Sequence, residues 1–231
     1  MGASPAMKAP TALLQRLSRF PRLRGNRLLV VVMTQLGDFD SLEYAQALVP
    51  ALPELEAAGI QLQAFGIGDQ RSGERFCSYT GFPVENLELE RSAHLHRELS
   101  LYRGLEVPGG PWPALLLMCA GIGSPGTLKE VLRGYSGDRN APERLAGPGL
   151  FSLLGQGYLR PFELATVRLN NMVEVLSHWS TYVPDDRFLT QRGATYLMEP
   201  DGTLLYCHQD QGILGFSETM ARPLAFLDPF L

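Results

Sequence analysis

Apolar positions along the chain fall into two regimes. From Leu28 to Leu89 they come as short runs separated by helical spacing, and from about residue 108 to 184 they recur every three or four positions. Leu28 to Met33 is a β-branched apolar run bounded by Gly25-Asn26 and by Gln35 to Asp38, the signature of a central strand covered on both faces. A helix start follows almost at once. Asp40 is expected to be its N-cap, with Glu43 reaching back as capping-box partner, and the helix is expected to run to about Ala58. Gly59 stops it, and Ile60 to Gly68 reads as a second strand, parallel to the first after a right-handed crossover. Ser72 to Thr80 is expected as a helix ended by Gly81 and Pro83, Asn86 to Leu89 as a brief strand, and Ser92 to Tyr102 as another helix.

In the second regime no strand stands out. Ala114 to Ala120 is strongly apolar without a β-branched residue, which favours a buried helix. Thr127 to Tyr135 predicts another helix, and 134–149, rich in Gly and Pro, a loop. Arg160 to Tyr182 predicts the longest helix, with Phe162, Ala165, Leu169, Met172, Val173, Leu176 and Trp179 on one inward face. Ala194 to Met198 and Thr203 to His208 flank a Pro200-Asp201-Gly202 turn and read as an antiparallel hairpin, with a last helix from about Ser217. Two parallel βαβ units, then a hairpin, then a helix, give an α/β chain of thioredoxin-like layout: a mixed sheet with a helical insertion, about 108–184, before the hairpin. We divide the chain into a basic segment, 1–26, and one domain, 27–231.

Composition narrows the function classes. With 231 residues, 45% apolar and 19% charged, the chain is an ordinary globular one, and no run approaches the apolar length of a membrane span. Net charge is −4, yet residues 1–37 hold Lys8, Arg16, Arg19, Arg22, Arg24 and Arg27 and no acid, so the remainder is more acidic still and unsuited to nonspecific nucleic-acid binding. Leu13, Leu14, Leu17 and Phe20 lie at helical spacing between those arginines. They predict a terminal helix packed on the body, the alternative being peripheral contact with a membrane surface or partner, and an Arg-rich, acid-poor start also fits a transit peptide. Cys77, Cys119 and Cys207 form no CxxC and favour a reducing compartment such as the cytoplasm.

Four stretches carry a family resemblance: VVVMTQLGDFDSLEYAQ, AAGIQLQAFGIG, AHLHRELSLYRGL and QRGATYLMEPDGTLLYCHQDQGIL. In them the sequence resembles the peroxiredoxin-like 2 group of the alkyl hydroperoxide reductase and thiol-specific antioxidant (AhpC/TSA) superfamily, chloroplast and cyanobacterial type, from about Leu28 to Leu224 outside the insertion. The resemblance implies a thioredoxin-like fold. Members with thiol chemistry carry Gly-Cys-x-x-Cys after the first strand, whereas Gly37-Asp38-Phe39-Asp40-Ser41 puts Asp38 and Ser41 at the two cysteine positions. The proline that precedes the hairpin in thioredoxin-type folds is replaced by Gln191-Arg192-Gly193. A carboxylate cannot stand in for a peroxidatic thiolate, whose reaction ends in a sulfenic acid. No catalytic residue, cofactor or metal is therefore expected, and the expectation is a non-catalytic module with a protein partner, of open oligomeric state.

Two other activities are weighed against it. One is a thiol oxidoreductase using the displaced Cys77, Cys119 or Cys207. The other is a magnesium phosphatase of haloacid-dehalogenase type, with Asp38 as nucleophile, Asp40 as acid/base and Asp185-Asp186 as metal ligands. Two further patterns carry little. Gly121 to Gly126 matches GxGxxG but lacks the strand before it that a dinucleotide site needs. His94 and His96 are two positions apart, on opposite sides of a helix, and cannot share a metal.

Overall fold

The computed structural model describes residues 7–119, 159–212, 216–218 and 222–231. Its centre is strand β1, Arg27–Gln35, of which every residue after Arg27 is buried. β1 pairs in parallel with β2, Ile60–Ile67, and antiparallel with β4, Ala194–Met198. β3, Leu87–Glu90, extends the sheet in parallel beyond β2, and β5, Leu204–Gln209, in antiparallel beyond β4, giving the order β3-β2-β1-β4-β5. This mixed sheet is the thioredoxin-like arrangement expected from the sequence.

The alternation along β1 divides the core in two. Leu29, Val31 and Met33 pack with Leu42, Ala45 and Leu48 on one face, while Leu28, Val30 and Val32 pack with Leu13, Leu17, Leu95 and Leu99 on the other. Each such side chain taken from water contributes about 1.5–3 kcal/mol. The covering on the second face includes α1, Thr11–Leu17, so the apolar positions of the N-terminal segment are used in packing. The segment is also tied to the hairpin: the Ala9 N–H donates to the Gly202 carbonyl and the Leu204 N–H to the Met7 carbonyl, each at 2.8 Å. Arg16 forms an ion pair with Glu90.

Several element boundaries differ from expectation for identifiable reasons. The helix after the corner is α2, Phe39–Leu48, then a 3-10 turn, Val49–Ala51, then α3, Leu52–Ala57; Pro50 and Pro53, lacking an N–H, divide what was expected to be one helix. α4, Gln70–Thr80, begins with a capping box in which the Ser72 N–H donates to Asp69 and the Asp69 N–H to the Ser72 hydroxyl, and it ends on Gly81 at φ +77°. α5 spans only His94–Glu98, because Ser100 turns left-handed at φ +55°. α6, Pro111–Cys119, and α7, Leu159–Ser177, are the described helices of the insertion, followed by a turn, α8, Trp179–Tyr182. The helix expected from Ser217 is, among the described residues, a 3-10 turn, Ala225–Leu227. The GxGxxG stretch, the helix expected at 127–135 and the loop at 134–149 lie outside the described residues.

The inward face of α7 is also not the expected one. Leu169, Val173 and Leu176 are 57–60% exposed, while Asn171 and Val175 are fully buried. Polar partners set the rotation of the helix: Asn171 exchanges two 3.0 Å hydrogen bonds with Gln46, Arg168 reaches α2, and Glu174 pairs with Arg75 of α4 at 2.6 Å. Turning the leucines inward would strand these groups, at about 1–3 kcal/mol for each unsatisfied one. Among the described residues no helix is long and apolar enough to cross a membrane.

Candidate functional site

The strand-to-helix corner lies between Thr34 and Ser41. Gly37 is confined by α8, since a Cβ there would come within 2.8 Å of Val183 Cγ2 and 2.9 Å of Tyr182 Cβ. The chain then enters α2 with Asp38 as N-cap, its Oδ1 accepting from the Asp40 N–H at 3.1 Å. The expectation that Asp40 caps this helix with Glu43 is thus corrected: the cap lies two residues earlier, at Asp38. Asp40 is already inside the helix, 1% exposed, and its carboxylate is free to meet cations brought from elsewhere in the chain.

Two arginines bring them. Arg192, itself 1% exposed, donates from Nη1 to Asp38 Oδ2 at 2.7 Å and from Nη2 to Asp40 Oδ2 at 2.9 Å. Arg168 of α7 donates to the other Asp40 oxygen at 2.9 Å and forks onto Glu43 at 2.5 and 2.9 Å. The result is a chain of alternating charge, Asp38, Arg192, Asp40, Arg168 and Glu43, in which the bidentate geometry suits guanidinium and would not suit lysine. Burial pushes the Asp38 carboxyl above its ordinary value while Arg192 pulls it back. Burial likewise works against the charge on Arg192, but Asp38, Asp40 and Asp210 outweigh it and hold the guanidinium protonated.

The backbone fixes Arg192 in this place. Its N–H donates to the Tyr102 carbonyl at 2.9 Å, and the Gln191 side chain donates to the same oxygen. The next residue must be glycine: a Cβ on Gly193 would fall 2.2 Å from the Val32 carbonyl oxygen, where β4 begins to pair with β1. The Gly193 N–H donates to Asp210 at 3.1 Å, so the far end of the hairpin closes on the same point. Ser41 does not face solvent; it is 3% exposed and shares a 2.8 Å hydrogen bond with Thr34, which also donates to Asp38 at 2.9 Å.

The other candidates lie apart from this corner. Cys77 is buried on α4, and burial together with Glu85 pushes its thiol up to about 11. Cys207 is half-buried on β5, its thiol also raised by burial. Cys119 is the last residue of α6, and its side chain lies outside the described residues. The Asp185 carboxylate is held by Arg187 at 2.5 Å and Asp186 accepts from Trp112 Nε1 at 3.2 Å, so neither carboxylate joins Asp38 and Asp40 as the phosphatase arrangement would require. His94 is exposed, whereas His96 is buried and donates from Nε2 to the Met33 carbonyl at 2.8 Å. Its Nδ1 finds no hydrogen-bond partner, and burial pushes its pKa down to about 4.

Sequence reasoning noted Arg192 only as the loss of a proline and passed over Arg168. The available signal was the cluster of Asp38, Asp40 and Glu43 within six positions of a buried corner, which needs cations to be tolerable.

The sheet order defines a thioredoxin-like α/β protein. The chain belongs to the AhpC/TSA antioxidant enzyme family, whose model matches residues 47–212. The matched region covers β2 to the end of the hairpin and begins after the Asp38–Ser41 corner. No curated protein and no solved structure matches the chain.

Proposed function

We propose that this chain is an AhpC/TSA family protein that has lost the peroxidatic and resolving cysteines and acts as a non-catalytic interaction or assembly module in a reducing compartment, the cytoplasm or the chloroplast stroma. The observation that carries this reading is Arg192 locked between Asp38 and Asp40 at the first turn of α2. A peroxidase of this fold needs a thiolate there, stabilised by the helix N-terminus and a nearby cation. Here the cation is spent on carboxylates, and the N-terminus is neutralised by its own cap.

The thiols support the same reading, since protonated Cys77 and Cys207 are poor nucleophiles at neutral pH. A protein partner is the corresponding proposal, with the outward Leu169, Val173 and Leu176 of α7 as the contact. The test is peroxide consumption by the purified chain with thioredoxin or glutathione as donor. No turnover above the uncatalysed rate is expected. Turnover abolished by Cys77→Ser, Cys119→Ser or Cys207→Ser alone would replace this reading with a displaced-cysteine oxidoreductase.

A further inference from the structure

The segment after α5, the entry to α6 and the turn at Arg187 and Phe188 enclose an open cleft of about 450 Å³. Its size falls in the range of small-molecule sites. Among the described residues Arg97, Arg103 and Arg187 line it, with Glu106 as the carboxylate. Apolar side chains share the lining, with Leu105, Val107, Ala114 and Phe188.

The three arginines are not equally engaged. Arg97 makes no side-chain hydrogen bond or ion pair among the described residues. Arg103 pairs with Glu106 at 3.0 Å, where both side chains are about two-thirds exposed. Arg187 pairs with Asp185 and is 76% exposed. The Arg103–Glu106 pair is exposed at both ends, so an incoming anion can exchange into it at little cost, whereas Arg187 is held by a bidentate contact with Asp185. The first turn of α6 adds only a little, because Pro111 and Pro113 remove two of its N–H donors. The guanidinium groups are what select the ligand.

We propose that this cleft binds a phosphate monoester attached to an apolar group. Even with Arg187 held by Asp185, Arg97 and Arg103 offer two guanidinium groups to the three oxygens of a phosphate monoester, a better match than a single carboxylate with two oxygens. The apolar side chains then cover the organic portion. This site is independent of the corner at Asp38 and of whether the chain retains thiol chemistry.

The probe is phenyl phosphate, titrated into the full-length protein by calorimetry, with phenol and inorganic phosphate as the two half-ligands. Saturable binding is expected, tighter than for either half. The double substitution Arg97→Ala with Arg103→Ala, at two exposed positions, is expected to weaken it about tenfold or more, since it removes two charge-assisted contacts. Glu106→Gln, which releases Arg103, is expected to tighten it. Vesicles of neutral phospholipid with and without phosphatidic acid separate the sources: vesicle binding that the double substitution removes assigns the phosphate to a lipid headgroup, and soluble binding alone assigns it to a free ester. Absence of saturable binding to both probes overturns the proposal. So does binding that the double substitution leaves unchanged in a protein whose circular dichroism matches the parent, or binding that Glu106→Gln weakens.

Discussion

Arg192→Met is the substitution that most directly probes the corner. It keeps much of the side-chain volume and removes two charge-assisted hydrogen bonds, 2.7 Å to Asp38 and 2.9 Å to Asp40. Asp40, 1% exposed, is left with Arg168, and Asp38 with Thr34 and the Asp40 N–H. Removing one partner of a buried pair costs roughly 3–5 kcal/mol, and the residual partners place this case near 3. The loss fits within the roughly 5–15 kcal/mol of an ordinary domain, so the variant remains folded and measurable. Urea unfolding followed by the fluorescence of Trp112 and Trp179, with the slope m compared to the parent, gives the difference. Adding Asp40→Asn removes the charge that has lost Arg192 and is expected to restore about 1–2 kcal/mol, a coupling far outside the about 0.5 kcal/mol scatter of independent sites. Arg168→Met, at the better-solvated end of the cluster, is expected to cost less than Arg192→Met. An Arg192→Met loss below about 1 kcal/mol, or a cycle additive within that scatter, would refute the view that these charges hold the corner as one unit.

The sheet was legible in the sequence because its signals are local and redundant. The β-branched run of β1, Gly59 before β2 and the Pro200-Asp201-Gly202 turn each specify their element without reference to the rest of the chain. Pro50 and Pro53 were passed over: with a start at Asp40 and a stop at Gly59, the stretch read as one helix, which the two prolines divide. The α7 helix was misread in rotation because periodicity counts apolar side chains, whereas its orientation is set by where Arg168, Asn171 and Glu174 find partners up to 128 residues away. The corner shows the same limit. The sequence pointed to Asp40 as the N-cap, and the ion pairs of both Asp38 and Asp40 come from Arg192, 152 residues beyond Asp40, which local spacing does not show.

Three further outcomes are expected. Gly193→Ala places a methyl group 2.2 Å from a backbone oxygen that pairing with β4 holds in place, and is expected to cost about 3 kcal/mol by urea unfolding; a loss under about 1 would mean that the β1–β4 junction yields. In a Cys119→Ser background, alkylation at neutral pH should leave Cys77 and Cys207 largely unmodified until denaturant is added, and mass measurement should then count two modified thiols; rapid native-state modification would contradict their raised pKa values. The last concerns His96, whose pKa is about 4 in the fold against an ordinary 6.5. Burial disfavours the imidazolium, so the unfolded chain binds this proton more readily than the folded one. Stability from this residue is therefore fully present above pH 6.5 and is lost as pH falls from there toward 4, by about 3 kcal/mol in all at 1.36 kcal/mol per unit. Below pH 4 both states carry the proton and the loss levels off. His96→Gln keeps an N–H donor able to reach the Met33 carbonyl and has no charge to gain. Urea midpoints of parent and variant should diverge between pH 6.5 and 4, the variant falling less steeply. Parallel curves across that window would mean that the buried imidazole accepts its proton in place, which the unpartnered Nδ1 would then have to reach water to do.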